Sequence, residues 1–284
     1  MPYTLNLPLE PFPIDMETAS IYYVGNATML ILYRGITILT DPNFLNRGQR
    51  AHLGYGFTTR RKLQPSITFD QLPRIDLVLL SHMHGDHFDH ITQERLSKFV
   101  PIVTTPHAAA ILKRKKFQKV FALETWDTIQ VRKGDAHLRI AAMPALHAEG
   151  VFSSLLPPVM GSLIDFEDEA QNPLYRMYIS GDTVLYDGLR EIPERYSNIN
   201  MAVLHLGHTR IFGKTLTMDE DQGLELMRWL HPQVVVPIHF GDYTMFKSPL
   251  DNFKQAVRAA GMERKVHYVR HGDLFTFYVE RERV

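Results

Sequence analysis

The chain has 284 residues, enough for one large α/β domain or two smaller ones with a substantial core. Its 31 basic and 31 acidic residues give a formal net charge of zero, so no global basic field is available to attract nucleic acid or a membrane surface. Cysteine is absent, which excludes disulfides, thiolate metal ligands and a cysteine nucleophile.

Targeting signals are also missing from the sequence. The first residues lack the charged start and continuous apolar stretch of a signal peptide. No apolar run approaches the roughly 18 residues that a membrane span needs. We therefore expect a cytoplasmic protein without a transmembrane segment.

Hydrophobic alternation and turn-forming pairs predict the elements in chain order. Strands are predicted at 21–24, 29–33 and 37–39, and a long polar segment from Asp41 to about Leu72 follows them. This segment has little periodicity and is too long for a simple connection, so we interpret it as a functional loop. Further strands are predicted at 77–80, 101–104, 119–123, 128–131, 137–142, 161–166, 175–179, 202–206, 234–238, 266–269 and 274–279, and helices at 92–99, 108–115, 218–230 and 250–260.

Helix signals are clearest at 218–230. Thr217 and Glu220 have the spacing of a capping box, and Pro232 marks the end of the helix. The chain shows no internal repeat, low-complexity tract or linker. The simplest assignment is therefore a single layered α/β domain over residues 1–284.

Side chains able to bind a metal follow four of the predicted strands. They are His82, His84, Asp86 and His87 after 77–80, His147 after 137–142, Asp182 after 175–179, and His239 after 234–238. Ligand sites of open α/β sheets lie at the carboxyl ends of strands, so these side chains are expected to meet. A histidine-rich polar turn is the alternative for the cluster at 82–87 alone.

Spacing within that cluster suggests two ions. His82 and His84 are two residues apart in an extended segment, so they point the same way and can grip one ion. Asp86 and His87 are offset toward a neighbouring position, which suits a second ion with Asp182 as a bridge.

These residues also resemble a known family. The segment HMHGDH at 82–87 matches the His-x-His-x-Asp-His motif of the metallo-β-lactamase-fold hydrolases. Within that superfamily, YVGNATMLI at 23–31, ILTDPNF at 38–44, LPRIDLVLLSHMHGDHFD at 72–89 and PIHFGDY at 237–243 resemble the branch of N-acylphosphatidylethanolamine phospholipase D and the ascorbate-6-phosphate lactonases. Asn26 departs from the histidine common in this branch, and Gly85 from the tyrosine of the phospholipase.

The resemblance implies a four-layer αββα sandwich with two metals at the sheet edges. It also implies roles for the residues that match the motif: His82, His84 and His147 hold one ion, Asp86, His87 and His239 hold the other, Asp182 bridges them, and Asp41 orients a ligand histidine through its free ring N–H.

Imidazole and carboxylate ligands suit two divalent ions, zinc first, with manganese or iron as alternatives. Two such ions lower the pKa of a shared water and polarise the bond under attack. Their charge of about +4, set against Asp86, Asp182 and one hydroxide, leaves about +1, which favours a small anionic substrate. We therefore predict a hydrolase of phosphodiesters or related anionic esters, in which Asp86 or Asp182 accepts the proton of the nucleophile.

Five more residues are candidate substrate contacts, each with a structural role as the alternative. They are His205 and His208 near the leaving group, Arg60 and Arg61 as a phosphate clamp, and Tyr243 in an apolar pocket.

Other functions compete with the esterase prediction. A lactonase or β-lactamase would use the same nucleophile on a cyclic carbonyl, and a non-catalytic metal-stabilised binding protein would keep the fold alone. A nucleic-acid partner is not expected, because basic character is lacking. A homo-oligomer stays open.

Overall fold

Two seven-stranded sheets form the centre of the protein, seen in a computed structural model that describes residues 3–8, 18–148, 156–211 and 214–279. The strands are β1 (Tyr3–Asn6), β2 (Thr18–Gly25), β3 (Thr28–Tyr33), β4 (Ile36–Thr40), β5 (Arg50–His52), β6 (Thr58–Arg60), β7 (Leu77–Leu79), β8 (Ile102–Thr104), β9 (Val120–Ala122), β10 (Thr128–Lys133), β11 (Ala136–Met143), β12 (Gly161–Glu167), β13 (Pro173–Ile179), β14 (Met201–His205), β15 (Arg210–Ile211), β16 (Lys214–Thr215), β17 (Val234–Ile238) and β18 (Leu274–Tyr278). The helices are α1 (His90–Arg95), α2 (Pro106–Arg114), α3 (Glu191–Arg195), α4 (Glu220–Leu230) and α5 (Leu250–Ala259).

Strand order brings several carboxyl ends to the same edge. The first sheet runs β1-β10-β11-β12-β13-β14-β17, and the second runs β18-β2-β3-β4-β7-β8-β9. Strands β13, β14 and β17 are parallel, and β11 has the same direction because two antiparallel pairings separate it from β13. In the second sheet β4 and β7 are parallel. Side chains that follow these strands are thus placed to meet.

Successive side chains of a strand point to opposite faces of its sheet, and the core therefore has three main parts. Met29 and Ile31 of β3 lie in the core that both sheets share, whereas Leu30 lies in the core beneath α1 and α2. In β11, Leu138 faces the shared core and Ala141 faces the core beneath α3, α4 and α5. The layers are therefore helix, sheet, sheet, helix, and the expected four-layer αββα sandwich is confirmed.

Helix α4 begins and ends for local reasons. The side chain of Asp219 accepts a hydrogen bond from the Gln222 amide at 2.9 Å and caps the first turn. The predicted capping box at Thr217 is wrong, because that hydroxyl instead accepts from the Thr209 amide at 2.8 Å. The helix ends at Leu230, before Pro232, as predicted. In the described part of the chain, no helix has the length and apolar character of a membrane span.

Two predicted segments differ in the structure. The segment 266–269 is not a strand: Val266 makes one bridge to Val235 of β17, after which the chain crosses to β18 in the other sheet and loses pairing partners. The polar segment 41–72 contains the β5–β6 hairpin and a 3-10 turn at Phe69–Gln71. The hairpin strands have three residues each, too few for an alternating pattern to reveal them.

A buried ion pair ties the two sheets together. Lys133 at the end of β10 lies 2.8 Å from Asp76, which precedes β7, and its ammonium also donates to the Gly35 carbonyl at 2.6 Å. The same Asp76 oxygen accepts from the Thr37 amide at 3.0 Å. Removing one partner leaves an uncompensated buried charge.

We expect Lys133→Met to lower the free energy of unfolding by about 3 to 5 kcal/mol, because Asp76 would lose its counter-ion in the interior. Lys254→Met is the matched control, since Lys254 pairs with Asp251 at 2.9 Å on the exposed surface and should contribute at most about 1 kcal/mol. Chemical denaturation measures both. Equal losses in the two variants would contradict a structural role for the buried pair.

Candidate metal centre

Seven side chains with metal-binding atoms converge where the strands end. His82, His84 and His147 form the first cluster, and Asp86, His87, Asp182 and His239 form the second. Within each cluster the candidate ligand atoms lie within 4.8 Å of one another. All seven residues are buried.

Sharp turns after the strands aim these side chains. His239 follows β17 with a left-handed φ of 61°, and Asp41 follows β4 with a φ of 35°. Gly181, just before Asp182, has a φ of 61°, and a Cβ there would lie 2.7 Å from the Met160 carbonyl. Only glycine fits that position, so the turn that presents Asp182 depends on it.

The first cluster has the spacing of a metal site. His84 Nδ1 lies 3.0 Å from His82 Nε2 and 3.2 Å from His147 Nε2. A tetrahedral zinc ion with Zn–N bonds of 2.0–2.1 Å separates its nitrogen ligands by about 3.3 Å. The three nitrogens therefore fit the edges of one coordination shell.

Hydrogen bonds to the other ring nitrogens assign the tautomers. His147 Nδ1–H donates to the Leu216 carbonyl at 2.9 Å, and His239 Nδ1–H donates to the Leu206 carbonyl at 3.1 Å. Neutral His147 therefore keeps a free lone pair on Nε2, whereas His239 points its Nε2 toward Asp86 at 3.5 Å. Such partners also fix the orientation of a metal-ligating ring.

Asp41 fixes the orientation of the His87 ring, and Ser81 fixes that of the His82 ring. Asp41 accepts from the Ser81 amide at 2.7 Å, from the Ser81 hydroxyl at 2.8 Å and from His87 Nδ1–H at 3.0 Å. Because the Ser81 hydroxyl donates to Asp41, its oxygen can accept from His82 Nδ1–H at 2.9 Å. One carboxylate thereby orients a ring in each cluster.

Burial keeps the first cluster neutral. It lowers the pKa of His82 well below the usual value, lowers the pKa of His147, and brings the pKa of His84 to about 3. The three imidazoles are thus neutral, and their ring nitrogens face one another at short distances. A cation is the group that such an arrangement accommodates.

Opposite charges in the second cluster shift one another's pKa values and keep one another ionised. Burial lowers the pKa of His87, but the carboxylates of Asp182, Asp86 and Asp41 outweigh it and hold that pKa well above the usual value. Burial also raises the pKa of Asp182, but His239 and His87 hold it well below the usual value. Asp182 is therefore anionic at neutral pH, as a metal ligand must be.

Unpartnered polar atoms provide a further indication of metal binding. Among the described residues, Asp86 Oδ1, His84 Nε2 and His239 Nε2 are buried without a hydrogen-bond partner. Unpaired buried polar atoms are costly and rare. The donor set and these atoms together fit divalent metal ions.

A small cavity adjoins both clusters. Its lining includes His84, Asp86, His147 and Asp182, together with Leu53, Leu156, Thr209, Leu216 and Met245. Its volume of about 20 Å³ suffices for about one water molecule. A larger cavity of about 460 Å³, near Pro73 and Pro101, contains none of the clustered side chains.

Two of the candidate substrate contacts are corrected by the structure. Arg61 is buried, donates to the Leu63 and Asn43 carbonyls at 3.0 Å, and lies 3.7 Å from Asp242. Tyr243 is buried as well, and its hydroxyl donates to Asn43 Oδ1 at 2.8 Å. Both side chains therefore brace the loops around the site and are not exposed to a substrate.

The other three candidates differ in position. Arg60 is exposed on β6. His208 is half-buried, and its backbone amide donates to the Met218 carbonyl at 3.1 Å; the described residues show no contact between its imidazole and the clusters. His205 is buried against Asp182, with Nδ1 3.1 Å from Oδ1.

Sequence reasoning missed three residues that shape the site. Ser81 could have been found from the sequence, because its hydroxyl directly precedes the ligand histidine His82. Asn43 follows the Asp-Pro turn; its amide donates to the Gly85 carbonyl at 2.8 Å, while its oxygen bonds Arg61 and Tyr243. Asn26 donates to the Asp86 carbonyl at 2.8 Å from the place where the related branch often has histidine.

Gly85 brings the β5–β6 hairpin onto the motif. Its amide donates to the His52 carbonyl at 2.8 Å, and a Cβ at this position would lie 2.7 Å from the His52 nitrogen and oxygen. A tyrosine, as in the phospholipase, would displace the hairpin. Glycine at this position, a departure from the related branch, therefore goes together with the close approach of the hairpin.

Comparison with known proteins agrees with the fold and the clusters. Residues 37–240 match the family described as Beta-lactamase superfamily domain. The chain belongs to this superfamily. The match spans the strands that end at Asp41, His82, His147, Asp182 and His239, and the resemblance to the metallo-β-lactamase-fold branch is confirmed.

Two relatives are named for hydrolytic activity. A UPF0173 metal-dependent hydrolase of Thermus thermophilus is 25% identical over 89% of this chain and 96% of its own length. The mitochondrial N-acyl-phosphatidylethanolamine-hydrolyzing phospholipase D of Saccharomyces cerevisiae is 26% identical over 86% of this chain and 53% of its own length. These relatives, together with the buried clusters, support a metal-dependent hydrolase.

Solved structures share the architecture. An isothiocyanate hydrolase from Delia radicum gut bacteria superposes with a TM-score of 0.77 at 21% identity, covering 92% of this chain and 100% of that one. Igni18, a metallo hydrolase of Ignicoccus hospitalis, gives a TM-score of 0.68 at 24% identity, covering 92% and 98%. At these identities the likeness establishes the fold alone.

We expect Asp41→Asn to weaken zinc binding by about 10- to 100-fold, because an amide cannot replace the carboxylate that accepts from both Ser81 and His87. Asparagine tolerates the left-handed backbone at this position, so the fold should persist. Isothermal titration of metal-free protein measures the affinity. The exposed Asp251→Asn variant serves as control, and unchanged affinity in Asp41→Asn would contradict the orienting role.

Proposed function

We propose that the protein is a dinuclear metal-dependent hydrolase of phosphodiesters or related anionic esters. The observation that supports it most is the convergence of three neutral imidazole nitrogens, 3.0 and 3.2 Å from one another, beside a second cluster with two carboxylates. One cavity borders both clusters, so two ions and one substrate would share a site.

The ligand assignment follows the clusters. His82, His84 and His147 would hold one ion through Nε2, Nδ1 and Nε2. Asp86, His87 and His239 would hold the other, and Asp182 would contact both. Zinc suits the imidazole-rich first cluster, and manganese or iron is the alternative.

Two bound divalent ions would supply a nucleophile by lowering the pKa of a water, and they would polarise the bond under attack. The chain provides the proton acceptor. Asp86 borders the cavity, so its carboxylate would be placed to take a proton there. Asp182, the other predicted catalytic residue, borders the same cavity and holds Oδ2 3.2 Å from His87 Nε2.

Substrate class follows from charge and from the cavity wall. A site of about +1 favours an anion or a transition state that gains negative charge. Leucines 53, 156 and 216 and Met245 make part of the lining apolar, and in the proposed reaction this surface would contact a hydrocarbon part of the ester. Relatives from yeast and Caenorhabditis elegans are named for hydrolysis of a phospholipid phosphodiester, which supports this class.

Several accompanying predictions stay open to test. A lactonase or β-lactamase would use the same site, and a non-catalytic binding protein would retain metal without turnover. A single domain over 1–284, a cytoplasmic location and a homo-oligomer are likewise predictions.

Metal removal tests the proposed chemistry. We expect a chelated, metal-free sample to lose hydrolysis of bis-p-nitrophenyl phosphate and to regain it when zinc, manganese or iron is returned, because the nucleophile depends on the ion. Homoserine lactone and β-lactam substrates are assayed in parallel. Activity that survives chelation contradicts metal dependence, and turnover of only the cyclic carbonyl substrates contradicts the phosphodiester assignment.

Substitution tests the residues. We expect His84→Ala and Asp182→Ala each to lower kcat/KM by at least about 100-fold, since a lost metal ligand removes several kcal/mol of transition-state stabilisation. The exposed His107→Ala variant on α2 is the control and should retain activity. Circular dichroism verifies the fold. Full activity in either site variant would refute its assigned role.

A further inference from the structure

His205 lies between the residues of the second cluster, although it is not one of the assigned ligands. It is the last residue of β14, which lies between β13 and β17 in the sheet. Asp182 follows β13, and His239 follows β17. The sheet order therefore places His205 between these two side chains.

The two oxygens of Asp182 face different partners. Oδ1 lies 3.1 Å from His205 Nδ1, whereas Oδ2 lies 3.2 Å from His87 Nε2. Oδ1 also lies 3.5 Å from His239 Nδ1, but His205 is its nearest imidazole partner, and Oδ2 is turned toward the Nε2 of His87.

The ring of His205 packs against two rings of the second cluster. It stacks on His239 at 5.3 Å with an interplanar angle of 21°, and on His87 at 6.0 Å with an angle of 22°. Its backbone amide donates to the Ser180 hydroxyl at 2.9 Å, which fixes the strand end. The ring therefore has little freedom to leave Asp182.

A packing role does not account for this residue. Its Nε2 is buried without a hydrogen-bond partner among the described residues, a cost that leucine of similar volume would avoid. A direct substrate contact does not account for it either, because His205 is buried and is not among the residues that border the small cavity. The bond to Asp182 is the interaction that compensates for burial.

We propose that His205 is a positioning residue that donates from Nδ1 to Asp182 Oδ1 and thereby reserves Oδ2 for metal. This inference rests on the proposed function, in which Asp182 contacts both ions. It also replaces the earlier prediction that His205 touches the leaving group. Groups that orient a ligand in this way typically affect metal affinity by 10- to 100-fold.

Zinc binding to metal-free variants tests the role. His205→Leu and His205→Phe remove the donor, the second keeping a ring for stacking, and His205→Asn keeps an N–H near the position of Nδ1. We expect each donor-free variant to bind zinc about 10- to 100-fold more weakly than the wild type, and His205→Asn to lie within about 5-fold of it. Titration calorimetry gives the affinity and stoichiometry.

Thermal unfolding of the same metal-free samples separates positioning from packing. We expect the donor-free variants to stay folded but to unfold at a lower temperature than the wild type, since they leave Asp182 Oδ1 without its buried donor, and His205→Asn to unfold close to the wild type. Wild-type affinity in a folded donor-free variant overturns the proposal, as does an equal loss in His205→Asn. If neither donor-free variant folds without metal, His205 is a packing residue and the proposal is also overturned.

Failure of the proposed function gives a different result. In that case the wild type itself binds no zinc, or binds it without two ions per chain. A wild type that binds two ions, together with an unaffected His205→Leu, rejects only the positioning role.

Discussion

The three hydrogen bonds that Asp41 accepts are the interaction on which the rest of the site depends. Two come from Ser81 and one from His87. Because Ser81 also accepts from His82, a single carboxylate orients one ring in each cluster. Asp41 itself is presented by a left-handed turn after β4, so the alignment of β4 with β7 in the sheet ultimately sets the direction of two ligand lone pairs.

The same interaction explains how so many polar groups can be buried together. The imidazoles of the first cluster are neutral and avoid the full cost of burying charge, and the Leu216 carbonyl accepts from Nδ1–H of His147. In the second cluster the carboxylates of Asp86 and Asp182 lie beside His87 and His239, so opposite charges are buried together. Divalent cations would interact favourably with both sets of side chains.

Much of this arrangement could be predicted from the sequence, because the signals are local. Apolar strands reveal themselves by alternation, and ligand types crowd directly behind them, as at His82 and His239. The residues whose roles were predicted wrongly make contacts with residues far away in the sequence. Tyr243 bonds Asn43 across 200 positions, and Arg61 pairs with Asp242, so neither burial could be read from neighbouring residues. Segment 266–269 has a strand-like pattern but crosses between sheets, which only the assembled topology reveals.

Residues that are not metal ligands shape the surroundings of the metal centre. Gly85 lets the β5–β6 hairpin approach the motif backbone, and that hairpin supplies Leu53 to the cavity wall. Asn43 links the two: its carbonyl accepts from Arg61, which follows β6 of the hairpin, and its side-chain amide donates to the Gly85 carbonyl in the motif. Any side chain at position 85 would meet the His52 backbone, so the place of Leu53 in the cavity lining depends on this glycine. The hairpin is thus coupled to the metal-binding motif through a backbone contact that the ligand set alone does not determine.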